Sequence, residues 1–169
     1  MFFAIKPFYI FSAAIIVICL IYIFYISLIY PALRKSKVKT LLTKHAYNNN
    51  KKIVIVKEKN HGATFKIKID ETIYLAKVVM NSKNCDLQIN NIDTWVMYIK
   101  NGDTYKCKSL TDMTTFMNHK AKNKIIILAN QAKTIKKVIN ECEMIMVNPN
   151  VDVHGVKIYN LNQLDELVK

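Results

Sequence analysis

The chain is 169 residues and 19.6 kDa, with 51% hydrophobic residues, 22% charged residues, three Gly and three Pro, which excludes a disordered, collagen-like or linker protein. Its formal charge of +13 rests on 24 Lys and the single Arg34, so the planar guanidinium fork that reads phosphate and guanine edges is nearly missing. Four Cys with no Cys-x-x-Cys spacing exclude a dense disulfide scaffold and predict reduced, buried thiols.

Residues 8–29 contain no charge, no Gly and no Pro. At about 1.5 Å per residue, a helix of that length reaches about 33 Å, against a hydrocarbon core of about 30 Å. A cleaved leader is the weaker reading, because Lys6 alone supplies the basic region and the bulky Tyr30 stands where a small residue is wanted. Residues 1–32 therefore read as a transmembrane anchor, with Tyr9 and Tyr30 at its two headgroup boundaries. Arg34, Lys35, Lys37, Lys39 and Lys44 crowd the C-terminal flank, and the flank richer in Lys and Arg stays in the cytosol. The expectation is a single-pass plasma-membrane protein, amino terminus outside and the remainder cytoplasmic.

Residues 33–52 read as a basic juxtamembrane helix and linker. Pro31 either kinks the anchor or opens this second helix, and Leu33, Val38, Leu41, Leu42 and His45 recur near helical spacing. Its basic residues suit one of two roles. Arg34, Lys35, Lys37, Lys39 and Lys44 either seat the helix on anionic lipid headgroups, each worth on the order of 1 kcal/mol, or only fix topology. The segment from Arg34 to Lys68 carries eleven basic residues against the single acid Glu58, so the basic field is local.

Residues 53–169 read as one cytosolic mixed α/β domain. The β-branched run at 53–56, the strict alternation at 64–69 and the run at 73–80 predict an antiparallel meander, turning at Asn60-His61-Gly62 and at Asp70-Glu71. Leu87 and Ile89 form a brief apolar patch, and 95–99 pairs with 105–107 across Asn101-Gly102, the dipeptide best suited to a tight hairpin. Ser109 to Asp112 has capping-box spacing ahead of Met113, Phe116 and Met117, which predicts a short helix. The run 124–129 reads as a strand, 131–140 as a helix with Ile135, Val138 and Ile139 on one face, and 144–147 as a second strand: a β-α-β unit with a right-handed crossover. Val156 and Ile158 add an edge strand, and Asn162 with Asp165 caps a last helical turn.

No spacing of His and Cys matches a metal site, and Gly62, Gly102 and Gly155 stand alone rather than in a phosphate loop, so no metal or cofactor is expected. Cys142 reads as a small core residue. Trp95, Tyr98, Tyr74 and Tyr105 fall in strands, with core packing as the first reading and a recognition surface as the second. The order of helix, antiparallel strands, helix and strand from Leu33 to Val147 resembles that of the PD-(D/E)XK nuclease superfamily. The resemblance implies a metal-binding Asp on the second strand and an acid-x-Lys pair on the third. Asp70 matches the first, and Asp86-Leu87-Gln88 is the nearest variant of the second, without its Lys. The first expectation is a non-catalytic interaction or scaffolding module whose partners are the bilayer with anionic headgroups or an acidic protein, nucleic acid ranking lower. The alternatives are a membrane-tethered, metal-dependent nuclease-like enzyme (or a degenerate relative) using Asp70 and Asp86, or a basic nucleic-acid or lipid tether working through Arg34 to Lys68.

Overall fold

A computed structural model describes residues 7–58, 60–110, 113–149 and 151–169, with side chains from Phe11 onward. The chain forms two compact units, one ending at Ser36 and one running Lys37–Lys169. The first unit is helical: α1, Pro7–Phe24, passes into a wider π-helical turn, Tyr25–Ile29, and then into α2, Tyr30–Asn48. This helix is long and apolar enough to cross a membrane, and its most apolar window buries no residue. Pro31 neither breaks nor restarts it, since Phe24 and Tyr30 keep right-handed helical dihedrals on both sides of the wide turn. A proline ring clashes with the carbonyl four residues earlier, here Ser27, and a π turn at that position opens the needed room. The side chain of Tyr9 and all of Lys6 lie outside the described residues.

The second unit opens with the rest of α2 and continues into ten strands. Val38, Leu42 and Ala46, spaced by four, form one fully buried stripe, while Lys37, Lys39 and Lys44 stay exposed around it. Strands β1 (Ile53–Lys57), β2 (Phe65–Ile69) and β3 (Thr72–Val79) form the expected antiparallel meander. Strand β7 (Lys124–Leu128) adds parallel to β3, and β10 (Val156–Tyr159) adds parallel to β7. A second five-stranded sheet has the order β6 (Thr104–Leu110), β5 (Trp95–Asn101), β4 (Asp86–Ile89), β8 (Thr134–Asn140), β9 (Glu143–Met146), with only β4 and β8 parallel.

The β-α-β unit is not there. Residues 134–140 form strand β8, which turns back antiparallel onto β9, so β7 and β9 belong to different sheets. Ile135, Val138 and Ile139 fit a helix face by spacing, but β-branched residues suit a pleated surface, and Ile135 fills a core position between the sheets. The parallel pairs are instead made by strands distant in sequence, which local periodicity does not encode.

Alternation divides the core into two layers. Phe65, Ile67, Ile69, Ala76, Val78, Ile125 and Ile127 face α2 and the C-terminal helix α4 (Leu164–Val168). Val79, Ile126, Leu128, Val156 and Ile158 point the other way and meet Leu87, Ile89, Trp95, Met97 and Ile135 of the second sheet. The layers are helices, first sheet, second sheet. The short helix α3 (Thr114–Met117) brings buried Phe116 and Met117 into the layer between the sheets. The expected cap Ser109 lies instead in strand β6 and α3 starts from Met113 without a side-chain cap, while Asp112, the other residue of the expected box, lies outside the described residues. At the β5–β6 hairpin the two-residue loop is Gly102-Asp103, one step later than expected, and Gly102 takes φ 61° with open space around it, so a side chain there meets backbone strain alone. The terminal helical turns are capped by Asn160 and Gln163, not by Asn162 and Asp165.

Buried asparagines tie the ends of the parallel strands. Just beyond β3 and β7, Asn81 Nδ2 donates to Asn130 O at 2.9 Å, Asn130 N donates to Asn81 Oδ1 at 2.9 Å, and Asn130 Nδ2 donates to Asn81 O. Just beyond β10, Asn160 Oδ1 accepts from Ala132 N at 3.0 Å. With these bonds made, the buried amides hold strand ends together at little desolvation cost.

Candidate interaction surface

The two candidate metal acids belong to different sheets and bond different partners. Asp70 sits in the β2–β3 turn at φ 50°, where Oδ1 accepts from Lys52 N at 3.0 Å and Oδ2 meets Lys51 Nζ at 3.0 Å. The Lys51 ammonium, followed by the Lys52 amide, holds its carboxyl below the ordinary value. Asp86 stands on the other sheet, in β4, where Thr134 Oγ1 donates to Oδ1 at 2.5 Å. Asp70 clips the linker to the meander, and Asp86 bonds across a strand pair. On the third strand Lys77 follows Leu75 by two residues, so the place of the acid in an acid-x-Lys pair is apolar. Among the described residues no group of three or more His, Cys, Asp or Glu side chains converges.

The thiols divide differently from expectation. Cys85 is buried, and burial pushes its thiol up, although Asn81 Nδ2 lies 3.6 Å from Sγ. A protonated thiol of this kind is a poor nucleophile. Cys19, Cys107 and Cys142 are exposed and free. Cys142 belongs to the β8–β9 turn rather than the core, because the segment it joins is a hairpin and not a crossover. His61 and His119 stack with ring centroids 4.1 Å apart, and His119 Nδ1 accepts from Ala121 N at 3.2 Å, which ties the β1–β2 loop to the segment after α3.

The five candidate headgroup residues all lie on α2. Arg34 and Lys35 are half-buried, Lys37, Lys39 and Lys44 are exposed, and the Arg34 guanidinium carbon lies 5.0 Å from the Tyr30 ring centroid. On the first sheet, Val54, Lys68 and Ile73 form one cross-strand row, and Val56, Lys66 and Leu75 form the next. Val54, Val56 and Ile73 are about half exposed there, where the second sheet does not cover the meander.

The outer face of the second sheet carries a groove. Pairing sets Thr134, Asp86, Tyr98 and Cys107 in one row across β8, β4, β5 and β6. Lys136, Gln88, Val96 and Ser109 form the adjacent row. Tyr105, opposite Lys100, is the diagonal neighbour of Tyr98, a spacing of about 7–8 Å that aromatic side chains bridge. Of these, Asp86, Gln88, Tyr98, Tyr105, Thr134 and Lys136, with Lys133 and Met144, line a groove of about 460 Å3. No family model, no curated protein and no solved structure matches this chain.

The aromatic residues separate by strand parity. Trp95 is fully buried, Tyr74 packs against the helical layer, and Tyr98 and Tyr105 turn to the open face. The alternation of apolar and polar residues from Asp86 to Ile89 carried the signal for β4, since Leu87 and Ile89 go in while Asp86 and Gln88 stay out. The contribution of Lys136 and Met144 was hidden, because reading residues 131–140 as a helix removed both flanking strands from the sheet.

Proposed function

We propose that this chain is a single-pass membrane-anchored protein whose cytosolic α/β domain is a non-catalytic interaction module. The observation that carries the anchor is the apolar helix with no buried residue in its spanning window, a surface that water disfavours and lipid accepts. The basic flank from Arg34 to Lys44 supports a cytosolic C-terminal side. An open face bearing tyrosines, lysines and methionine supports the interaction role, since tyrosine and methionine favour protein contact surfaces.

Two exposed thiols make the orientation measurable. After an alkaline wash the full-length chain is expected to remain with the membrane pellet. A membrane-impermeant maleimide is expected to label Cys107 and Cys142 only once cells are permeabilised. Release into the wash sinks the anchor, and labelling of those thiols from outside intact cells reverses the orientation.

A further inference from the structure

The outer groove of the second sheet offers two phenol rings, one thioether and two ammonium groups around a single lining carboxylate. Lys133 and Lys136 are exposed at its rim, and Lys100 lies on the same face beside Tyr105. Asp86 on the floor is already bonded to Thr134, which leaves one carboxylate oxygen for a further donor. We infer that the groove binds an extended acidic segment of a partner protein.

The charge pattern selects this occupant. A peptide strand alternates its side chains, so carboxylates can reach Lys133 and Lys136 while a backbone N–H turns to Asp86 and apolar residues meet Tyr98, Tyr105 and Met144. A nucleic acid strand carries a charge at every phosphate and brings those charges close to Asp86 without relief. Tyr98 and Tyr105 are rings on which bases stack, but the face has no Arg to fork onto phosphate, and the Asp86 carboxylate between the rings and the lysines repels a phosphate backbone. Met144 and Met146 are each more than half exposed on edge strand β9, and flexible thioethers adapt to varied apolar side chains.

The inference rests on the interaction-module reading, not on the anchor. A chain that leaves the membrane but binds peptide loses only the anchor, whereas a membrane-retained chain that ignores peptide loses the groove. The test uses the full-length protein in a neutral detergent and a fluorescein-labelled peptide alternating glutamate and valine. Binding is expected, and exchange of each glutamate for glutamine is expected to weaken it about tenfold or more. Lys133→Glu combined with Lys136→Glu is expected to weaken it by about tenfold or more as well, because attraction becomes repulsion. Lys66→Glu with Lys68→Glu, on the other sheet, is expected to leave affinity unchanged.

A second readout needs no substitution. Cys107 is opposite Tyr98 on this face, and bound peptide is expected to slow its reaction with maleimide severalfold while Cys142 in the β8–β9 turn reacts as before. The inference is overturned if the glutamate peptide does not bind or if Cys107 reacts at an unchanged rate. It is equally overturned if oligothymidylate binds as tightly in a manner that depends on Lys133 and Lys136, or if anionic vesicles rather than peptide protect Cys107.

Discussion

Single residues hold turns and loop junctions of this domain together. Asp70 shows why an acid in a strand-end position can resemble a metal ligand while serving the backbone. Its main chain adopts φ 50°, its carboxylate bonds Lys51 and the Lys52 amide, and its own N–H donates to Lys52 O at 2.8 Å. The folded carboxyl ionises below the ordinary aspartate value of 3.8 because the Lys51 ammonium, and next the Lys52 amide, stabilise the charged form. The sign follows from linkage: the contribution is present above the ordinary value and is lost as pH falls from there through the lower folded value. Asp70→Asn keeps a residue type that tolerates positive φ and removes the charge. Thermal unfolding of full-length protein followed from neutral to acid pH is expected to show a shallower acid decline in Asp70→Asn, with a small difference at neutral pH because the pair is solvent-exposed. Equal acid slopes in the two proteins would remove the carboxylate from the stability of this junction.

At the level of elements, β8 separates two patterns that look alike on paper. Ile135 and Ile139 lie four apart, so a helix would place them on one face and make them nearly equivalent. In the strand, Ile135 is 3% exposed between the sheets and Ile139 is 52% exposed near the turn into β9. Ile135→Ala is expected to cost about 2–5 kcal/mol as a core truncation, and Ile139→Ala about 0.5 kcal/mol or less as a surface change. Chemical denaturation of the two variants decides it, and equal losses would favour the helix. The same contrast shows what the sequence could reveal. The meander and the β5–β6 hairpin join neighbours through short turns rich in Asn, Asp and Gly, so alternation and turn chemistry locate them. The β3–β7, β7–β10 and β4–β8 pairs bridge long separations, and nothing local to residues 124–140 states which strand each will meet. The candidate groove inherits that limit. Tyr98 and Tyr105 were visible as strand aromatics, but their joining with Asp86, Lys136 and Met144 depends on β4 pairing with β8, a contact between segments nearly fifty residues apart.

At the scale of the full chain, the helical run continues into the folded domain, and its side chains change from exposed to buried within α2. Among the described residues before Ser36 no apolar side chain is buried, whereas Val38, Leu42 and Ala46 are at 0% exposure against the first sheet. The exposed lysines of this stretch consequently surround the buried stripe of a core helix, and that packing alone accounts for the alternation of basic and apolar residues. Burial of Val38 and Leu42 stabilises the domain by about 1.5–3 kcal/mol each, a large share of the roughly 5–15 kcal/mol that holds an ordinary domain together. Two truncations separate the helix as tether from the helix as core. A chain starting at Lys37 keeps the buried stripe and is expected to be soluble and to melt cooperatively. A chain starting at Ile53 keeps every strand but uncovers Phe65, Ile67, Ala76, Ile125 and Ile127, and it is expected to lose its cooperative transition, bind a hydrophobic dye and aggregate. Circular dichroism melts and dye fluorescence on the two chains give the answer, and indistinguishable melting would mean that the strands alone carry the fold and that α2 is only a linker.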